Sequence, residues 1–170
     1  MSDGGRRWGR RLTRLLLVAI GLYVLARVTD SLWYWAYRPS DFQDANWSGH
    51  WRTAKYGGLS GRLLVRLPDP LPEGQDFKAE ALVYYPVYSV WKTGQFVRME
   101  FTGHFSPDEP ASAGKSTNEI PGGGKLKFKG IIGKQVVNYA ALIGDGRRVV
   151  TGGYLSQSPD DFGTFWVERD

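Results

Sequence analysis

Trp47-Ser48-Gly49-His50-Trp51 divides this chain into two unlike parts. Before it lies an apolar segment flanked by arginines; after it, apolar and polar residues alternate almost to Asp170. Alternation with a period of two is the pattern of strands with one face buried. At the far end, Gly163-Thr164-Phe165-Trp166-Val167-Glu168-Arg169 repeats it. The two stretches read as the first and last strands of one antiparallel sheet, closed on itself so that no edge stays unpaired.

With these two included, the alternation marks eight strands, at 47–56, 59–67, 77–85, 94–105, 125–132, 134–143, 147–156 and 162–168. Turn residues separate them: Gly57-Gly58, Pro68 to Asp76, Gly133, Gly144-Asp145-Gly146 and Ser158-Pro159-Asp160-Asp161. Asp-Gly is a strong hairpin signal. Pro86 to Thr93 reads as a possible continuation of the third strand through a bend. Ser106 to Gly124, rich in Pro, Ser, Gly and charge, reads as a long loop.

The faces of these strands separate. Val97, Met99, Phe101 and Phe105 oppose Arg98, Glu100, Thr102 and His104, and Leu126, Phe128 and Ile132 oppose Lys125, Lys127 and Lys129. Leu59, Leu63, Val65 and Leu67 likewise oppose Ser60, Arg62 and Arg66. One apolar face and one charged face belong to an antiparallel sheet with a core on one side and water on the other. A transmembrane barrel would be apolar outside instead. The expected fold is therefore all-β: an eight-stranded antiparallel up-and-down barrel, preceded by one N-terminal transmembrane helix.

That helix is read from Leu15 to Tyr37. Residues 1–14 form a basic tail with Arg6, Arg7, Arg10, Arg11 and Arg14 against a single Asp3. Leu15 to Ala26 is apolar throughout; Arg27 and Asp30 interrupt, and Trp33, Tyr34, Trp35 and Tyr37 follow. A span needs about 20 residues, which Leu12 to Tyr37 supplies if Arg27 snorkels to the far interface and the aromatic run forms an interfacial belt. An uncleaved signal anchor is the leading reading. A signal peptide cleaved after Ala26 and a helix lying in the interface are the alternatives. The arginines mark the N-terminus as cytoplasmic, which places the barrel on the far side, in the periplasm of a bacterial inner-membrane protein. Residues 38–46 form a polar linker and 47–170 the barrel domain.

The totals agree with this division. Seven Trp, nine Tyr and 22 Gly in 170 residues suit strands joined by tight turns. Most of the formal charge of +5 sits on the N-terminal tail, whereas acids nearly balance bases beyond Trp47, so a nucleic-acid polymer is not the expected partner. With no cysteine, thiol chemistry is excluded.

No catalytic set emerges. His50 and His104 lie on charged strand faces, far short of the three or four convergent ligands a metal needs. Asp160-Asp161 sits in a turn, where Asp has a conformational role. Gly122-Gly123-Gly124-Lys125 lacks the spacing of a phosphate loop. The stripe Lys125, Lys127, Lys129 is a solvated face or a seat for an anionic partner. No cofactor is implied.

Gly49-His50-Trp51 resembles the glycine-x-tryptophan of the first strand of lipocalins, within the calycin group. Arg169 stands where those barrels pack an arginine across the tryptophan ring. The resemblance covers residues 47–170 in strand count and spacing, without the family's Thr-Asp-Tyr or cysteine pair. It implies a ligand site inside the barrel, and Trp51, Tyr85, Met99, Phe101, Phe128 and Phe165 are the expected lining, with Arg169 stacked on Trp51 or facing an anionic ligand. Ala79, Ala81, Gly103 and Gly130 on the same faces leave room for a pocket or relieve crowding. An eight-stranded barrel is just wide enough to be filled by side chains or to hold one small ligand, and the sequence leaves both open.

The expected function is that of a non-catalytic module at the bilayer surface, binding a small apolar ligand or stabilising an integral membrane protein complex. A looser resemblance, to membrane-anchored barrel effectors of antiphage defence, implies the alternative of sensing a cyclic nucleotide. Those effectors carry two spans and a cytosolic barrel, whereas this chain has apolar length for one.

Overall fold

The computed structural model describes residues 3–54, 58–89, 94–107, 124–132, 135–144, 148–156 and 162–170. Among the described residues a single helix, α1 (Asp3–Tyr37), is followed by a 3-10 turn at Ser40–Phe42 and then by strands alone. The strands are β1 (Trp47–Thr53), β2 (Ser60–Arg66), β3 (Asp76–Tyr84), β4 (Phe96–Pro107), β5 (Gly124–Ile132), β6 (Gln135–Gly144), β7 (Val149–Ser156) and β8 (Phe162–Arg169). Each pairs antiparallel with its chain neighbours, and β8 closes on β1 with Trp51 opposite Phe165. The fold is the closed eight-stranded barrel that the alternation implies.

Strand limits fall within a few residues of the turn residues, although Asp76, Ser106, Pro107, Gly124 and Gly144, read as turn or loop, belong to strands. Pro86 to Ser89 does not extend β3: the strand stops at Tyr84, and the Ser89 amide turns back to bond the Pro86 carbonyl at 2.9 Å, while 90–93 lie outside the described residues. The Asp145-Gly146 hairpin and most of the loop between β4 and β5 lie outside the described residues.

The two ends of the barrel differ. At the end where β1 begins and β2 finishes, Trp47, Leu71, Phe77, Phe105, Leu126 and Ile143 fill the interior, with Phe105 and Leu126 fully buried. This closed end also carries Asp69, Glu73, Asp76, Arg148, Glu168, Arg169 and Asp170.

Strand β2 runs Leu63-Leu64-Val65 and β3 runs Ala81-Leu82-Val83-Tyr84, so both faces of the sheet are apolar here. The outward set is covered: Leu64, Leu82, Tyr84 and Phe96 pack against Tyr34, Phe42 and Ala45 in a second buried cluster outside the barrel. Residues 38–46, expected to be a polar linker, are thus folded onto the wall. Phe42 has no exposed surface and lies beneath the Arg66 guanidinium, 4.2 Å from ring centre to charge. Asn46 clamps Leu67 by two bonds, accepting from its amide at 3.0 Å and donating to its carbonyl at 2.8 Å.

Arg98 pairs with Asp41, and Arg66 with Asp44 and, at 2.9 Å, with Glu80. Hydrogen bonds from Arg98 and Arg66 hold the Asp41 and Asp44 carboxyls below their ordinary value of 3.8. Carboxyls depressed in the folded state stabilise it above that ordinary value, and the contribution disappears as pH falls through the folded values. Acidification below about pH 4 is therefore expected to lower the melting temperature by a component that an Asp41→Asn/Asp44→Asn variant lacks, as read from melting curves of both proteins against pH. Because both carboxylates are solvent-exposed, the component should be small.

Helix α1 descends the outer wall in a fixed direction. Arg27 donates to the Tyr88 hydroxyl at 2.9 Å, beyond the end of β3; Ser31 accepts from Arg62 at 3.1 Å; Tyr34 lies under the same guanidinium at 4.2 Å. Further along the chain, Phe42 and Asn46 reach Arg66 and Leu67 at the closed end. The helix therefore projects past the opposite, open end. Its stretch Arg11–Tyr37 is long and apolar enough to cross a membrane. The helix continues through the basic residues back to Asp3, so the tail read at 1–14 is helical from there. The aromatic run divides: Tyr34 is buried against the barrel, Trp33 donates to the Gly94 carbonyl at 2.9 Å, and Trp35 and Tyr37 are exposed.

Candidate functional site

Inward residues in the open half of the barrel do not fill it. A cavity of about 310 Å³ runs along the axis from a floor of Leu67, Val150 and Val167 to Thr53, Leu59 and Ser156 at the open end. Such a volume is at the low end of the range for small-molecule sites, about 300–1,000 Å³. The alternation of each strand puts the lining there, and neighbouring strands bring its aromatic rings into contact.

Trp51 packs against Tyr85, ring centres 4.9 Å apart, and its indole donates to the Tyr84 carbonyl at 3.2 Å. On the opposite side Phe101 meets Tyr139 edge-on at 5.1 Å and Phe128 at 6.3 Å. Tyr139 also meets Tyr154 at 5.9 Å and Phe165 at 6.1 Å, and its hydroxyl points at the Met99 sulfur, 4.0 Å away. The small residues behave in two ways. Ala79 and Ala81 line the cavity and leave it space. Gly103 and Gly130 leave none, because rings cover them: an added Cβ would come within 2.6 Å of Phe77 at Gly103 and within 2.6 Å of Phe101 at Gly130.

All six residues expected to line the interior do so: Trp51, Tyr85, Met99, Phe101, Phe128 and Phe165. The separate expectation for Arg169, stacking on Trp51 or facing a ligand, fails. Arg169 stands opposite Trp47 in the β1–β8 register, at the closed end, and its exposed guanidinium pairs with Asp69. The register explains the difference: Trp51 is four positions further along β1, opposite Phe165, so its ring lies beyond the reach of Arg169.

Tyr139 and Tyr154 were legible as inward residues of β6 and β7 by alternation with Val137 and Gly152, but nothing in sequence singled out their contact. It needs the register that places Tyr139 opposite Tyr154.

Polarity along the cavity is graded. Thr53, Tyr85 and Ser156 bring hydroxyls to the open end, while the floor is aliphatic. Among the described lining residues none is charged. A neutral, largely aromatic lining favours an apolar occupant, because an ion moved into it would lose its hydration without a partner.

Elsewhere, His104 Nδ1 lies 2.8 Å from an Asp76 carboxylate oxygen on the outer surface, and His50 is exposed on β1. Among the described residues no group of three His, Asp or Glu side chains converges as metal ligands. Lys125, Lys127 and Lys129 are exposed on the outer face of β5.

The helix is fastened beside the cavity end by Asp30, a carboxylate only 5% exposed. Asp30 accepts from the Tyr84 hydroxyl at 2.7 Å and from the Val87 amide at 3.0 Å. Burial, and then this bond to Asp30, raises the Tyr84 phenol well above its ordinary value, so it stays protonated and donates. Gly94 serves the same junction. Its φ of +58° suits glycine, and a Cβ there would strike the Trp33 indole at 2.6 Å.

Comparison with protein-family models, with curated proteins and with solved structures finds no match for this chain.

Proposed function

We propose that this protein is a membrane-anchored, non-catalytic binding module whose barrel holds one small apolar ligand. The observation that carries the reading is the neutral cavity between Trp51, Tyr85, Met99, Phe101 and Phe128. The likeness to lipocalins at Gly49-His50-Trp51 agrees with it, since Trp51 stands in the cavity wall. Helix α1 is the anchor. Arg6, Arg7, Arg10, Arg11 and Arg14 favour a cytoplasmic N-terminus, which puts the barrel outside the cytoplasm. Exposed Leu32, Trp35 and Tyr37 at the base of α1 offer a surface on which the same module can seat against an integral membrane complex.

The nucleotide-sensing alternative gains no support from the cavity. A cyclic nucleotide presents phosphates that ask for cations, and the described lining supplies none.

The test is a titration of the full chain in detergent with cis-parinaric acid, a fatty acid that fluoresces in apolar surroundings. Saturable binding at one site is expected. Ala81→Trp puts an indole into the cavity and should abolish binding, and Ala79→Phe should do the same if the larger residue hinders folding. Overfilling a packed interior costs about 1–3 kcal/mol, so melting curves should show both variants folded. Equal binding by wild type and both variants would overturn the reading.

A further inference from the structure

The cavity and the anchor point the same way. Helix α1 leaves the wall beside Tyr84, Val87 and Tyr88, at the end of the barrel that the cavity reaches. From Arg11 to Arg27 the helix rises about 24 Å, against a hydrocarbon core about 30 Å thick. No length of apolar helix is left over to hold the barrel away from the bilayer. If the helix spans, the open rim lies at the membrane surface.

The rim is suited to that position. Tyr88, Ile131, Leu155 and Phe162 are exposed there, coming from the β3–β4 connection and the ends of β5, β7 and β8. The described rim residues, 53–54, 58–60, 84–89, 94–95, 131–132, 135–136, 155–156 and 162, include no Asp, Glu, Lys or Arg. Exposed Arg27 and Arg52 flank the rim. The closed end is charged throughout, with the carboxylates Asp69, Glu73, Asp76, Glu168 and Asp170 alongside Arg148 and Arg169. Apolar residues bordered by cations are the composition of a surface that rests in the headgroup layer.

We propose that the barrel sits mouth-down on the bilayer, with Tyr88, Ile131, Leu155 and Phe162 in the headgroup region, and takes one acyl chain of a membrane lipid tail-first into its cavity. The proposal deepens, and rests on, the reading of the cavity as a site for an apolar ligand. The shape agrees: lining positions Leu59 to Leu67 span eight residues of chain in and around β2, about 26 Å along an extended strand, or about 20 Å of depth once the usual strand tilt is allowed for. Leu67, Val150 and Val167 at the floor suit the methyl end of the chain.

Two measurements on the full chain in phosphatidylcholine–phosphatidylglycerol vesicles test it. The chain has no cysteine, so spin labels can be placed singly through Leu155→Cys, Phe162→Cys and, at the closed end, the equally exposed Leu142→Cys. Labels at 155 and 162 are expected to lose access to a water-soluble nickel chelate and gain access to oxygen, while the label at 142 stays open to the chelate. Chelate access at all three sites would overturn the orientation. A phosphatidylcholine with a photoreactive diazirine at the end of one acyl chain should cross-link to the floor, in the peptides holding Val150 and Val167. Cross-links confined to α1 would overturn chain uptake. A diazirine fatty acid added in detergent then separates the two readings. If it labels the floor where the vesicle lipid does not, the apolar ligand site stands and the route from the bilayer falls. If neither labels the floor, both fall.

Discussion

Replacing Phe42 by alanine is expected to release the base of α1 from the barrel wall. Phe42 has no exposed surface and joins Tyr34, Leu64, Leu82, Tyr84 and Phe96 in the cluster outside the sheet. Truncating a fully buried phenylalanine costs about 3–5 kcal/mol, part in lost transfer energy and part in the cavity left behind. Here there is a further loss, since Arg66 and Arg98 stand over the ring at 4.2 and 5.6 Å. Both arginines keep their carboxylate partners on residues 41 and 44, but those residues belong to the segment that Phe42 fastens. Denaturant unfolding should show a destabilisation in that range, and hydrogen exchange should rise first in residues 38–46 and at Leu82 and Tyr84. The barrel interior is packed independently of this residue, so parinarate binding should survive wherever the variant remains folded. Exchange that rises uniformly over all eight strands would show that the wall and the base of α1 unfold as one unit.

The way Phe42 is buried also shows what could be read from the sequence. The barrel was legible because alternation and turn residues act locally: Leu126-Lys127-Phe128-Lys129 can satisfy an inside and an outside in only one manner. The cover over β2 and β3 was written in the sequence too, as Leu63-Leu64-Val65 and Ala81-Leu82-Val83-Tyr84. Consecutive apolar residues in a strand signal burial on both faces. What covers the second face is a long-range fact. A stretch as polar as Arg38 to Asn46 conceals one Phe and one Ala that do so. Asp30 was a similar signal, since a carboxylate inside an apolar helix needs a partner, but only the fold shows that the partners are Tyr84 and Val87.

For the cavity, strand faces identified the lining and register decided the rest. Trp51, Met99, Phe101 and Phe128 point inward by parity, and Tyr85 lines the cavity just beyond β3; no register was needed to find them. Arg169 failed because its distance from Trp51 along the barrel depends on the β1–β8 pairing, which parity does not reveal. Volume lay further out of reach. Ala79 and Ala81 leave space whereas Gly103 and Gly130 are roofed by phenylalanines, a distinction between residues of almost equal size.

Trp51→Ala should have the second large effect, and it separates the structural role of this residue from its role in the cavity. The indole packs on Tyr85, covers Gly61 closely enough that a Cβ there would lie 2.7 Å from its nitrogen, and donates to the Tyr84 carbonyl. Loss of a buried tryptophan costs about 3–5 kcal/mol. The site borders an existing cavity, so the void left behind merges with it and the surroundings cannot close around it. A loss near the upper end of that range is therefore expected. Trp51→Phe keeps most of the ring and gives up the hydrogen bond, for about 1 kcal/mol. In the ligand reading the two variants diverge in a second respect. Trp51→Phe should bind parinarate nearly as wild type does, while Trp51→Ala, where still folded, should bind with weakened affinity and accept bulkier apolar probes. Should both variants bind as wild type despite the expected losses of stability, Trp51 would be a strut of the β1–β2–β3 wall and the ligand would rest against the Phe101–Tyr139–Phe165 side instead. Paired titrations and melts of the two variants distinguish these outcomes, because a strut and a contact residue respond alike in stability and differently in selectivity.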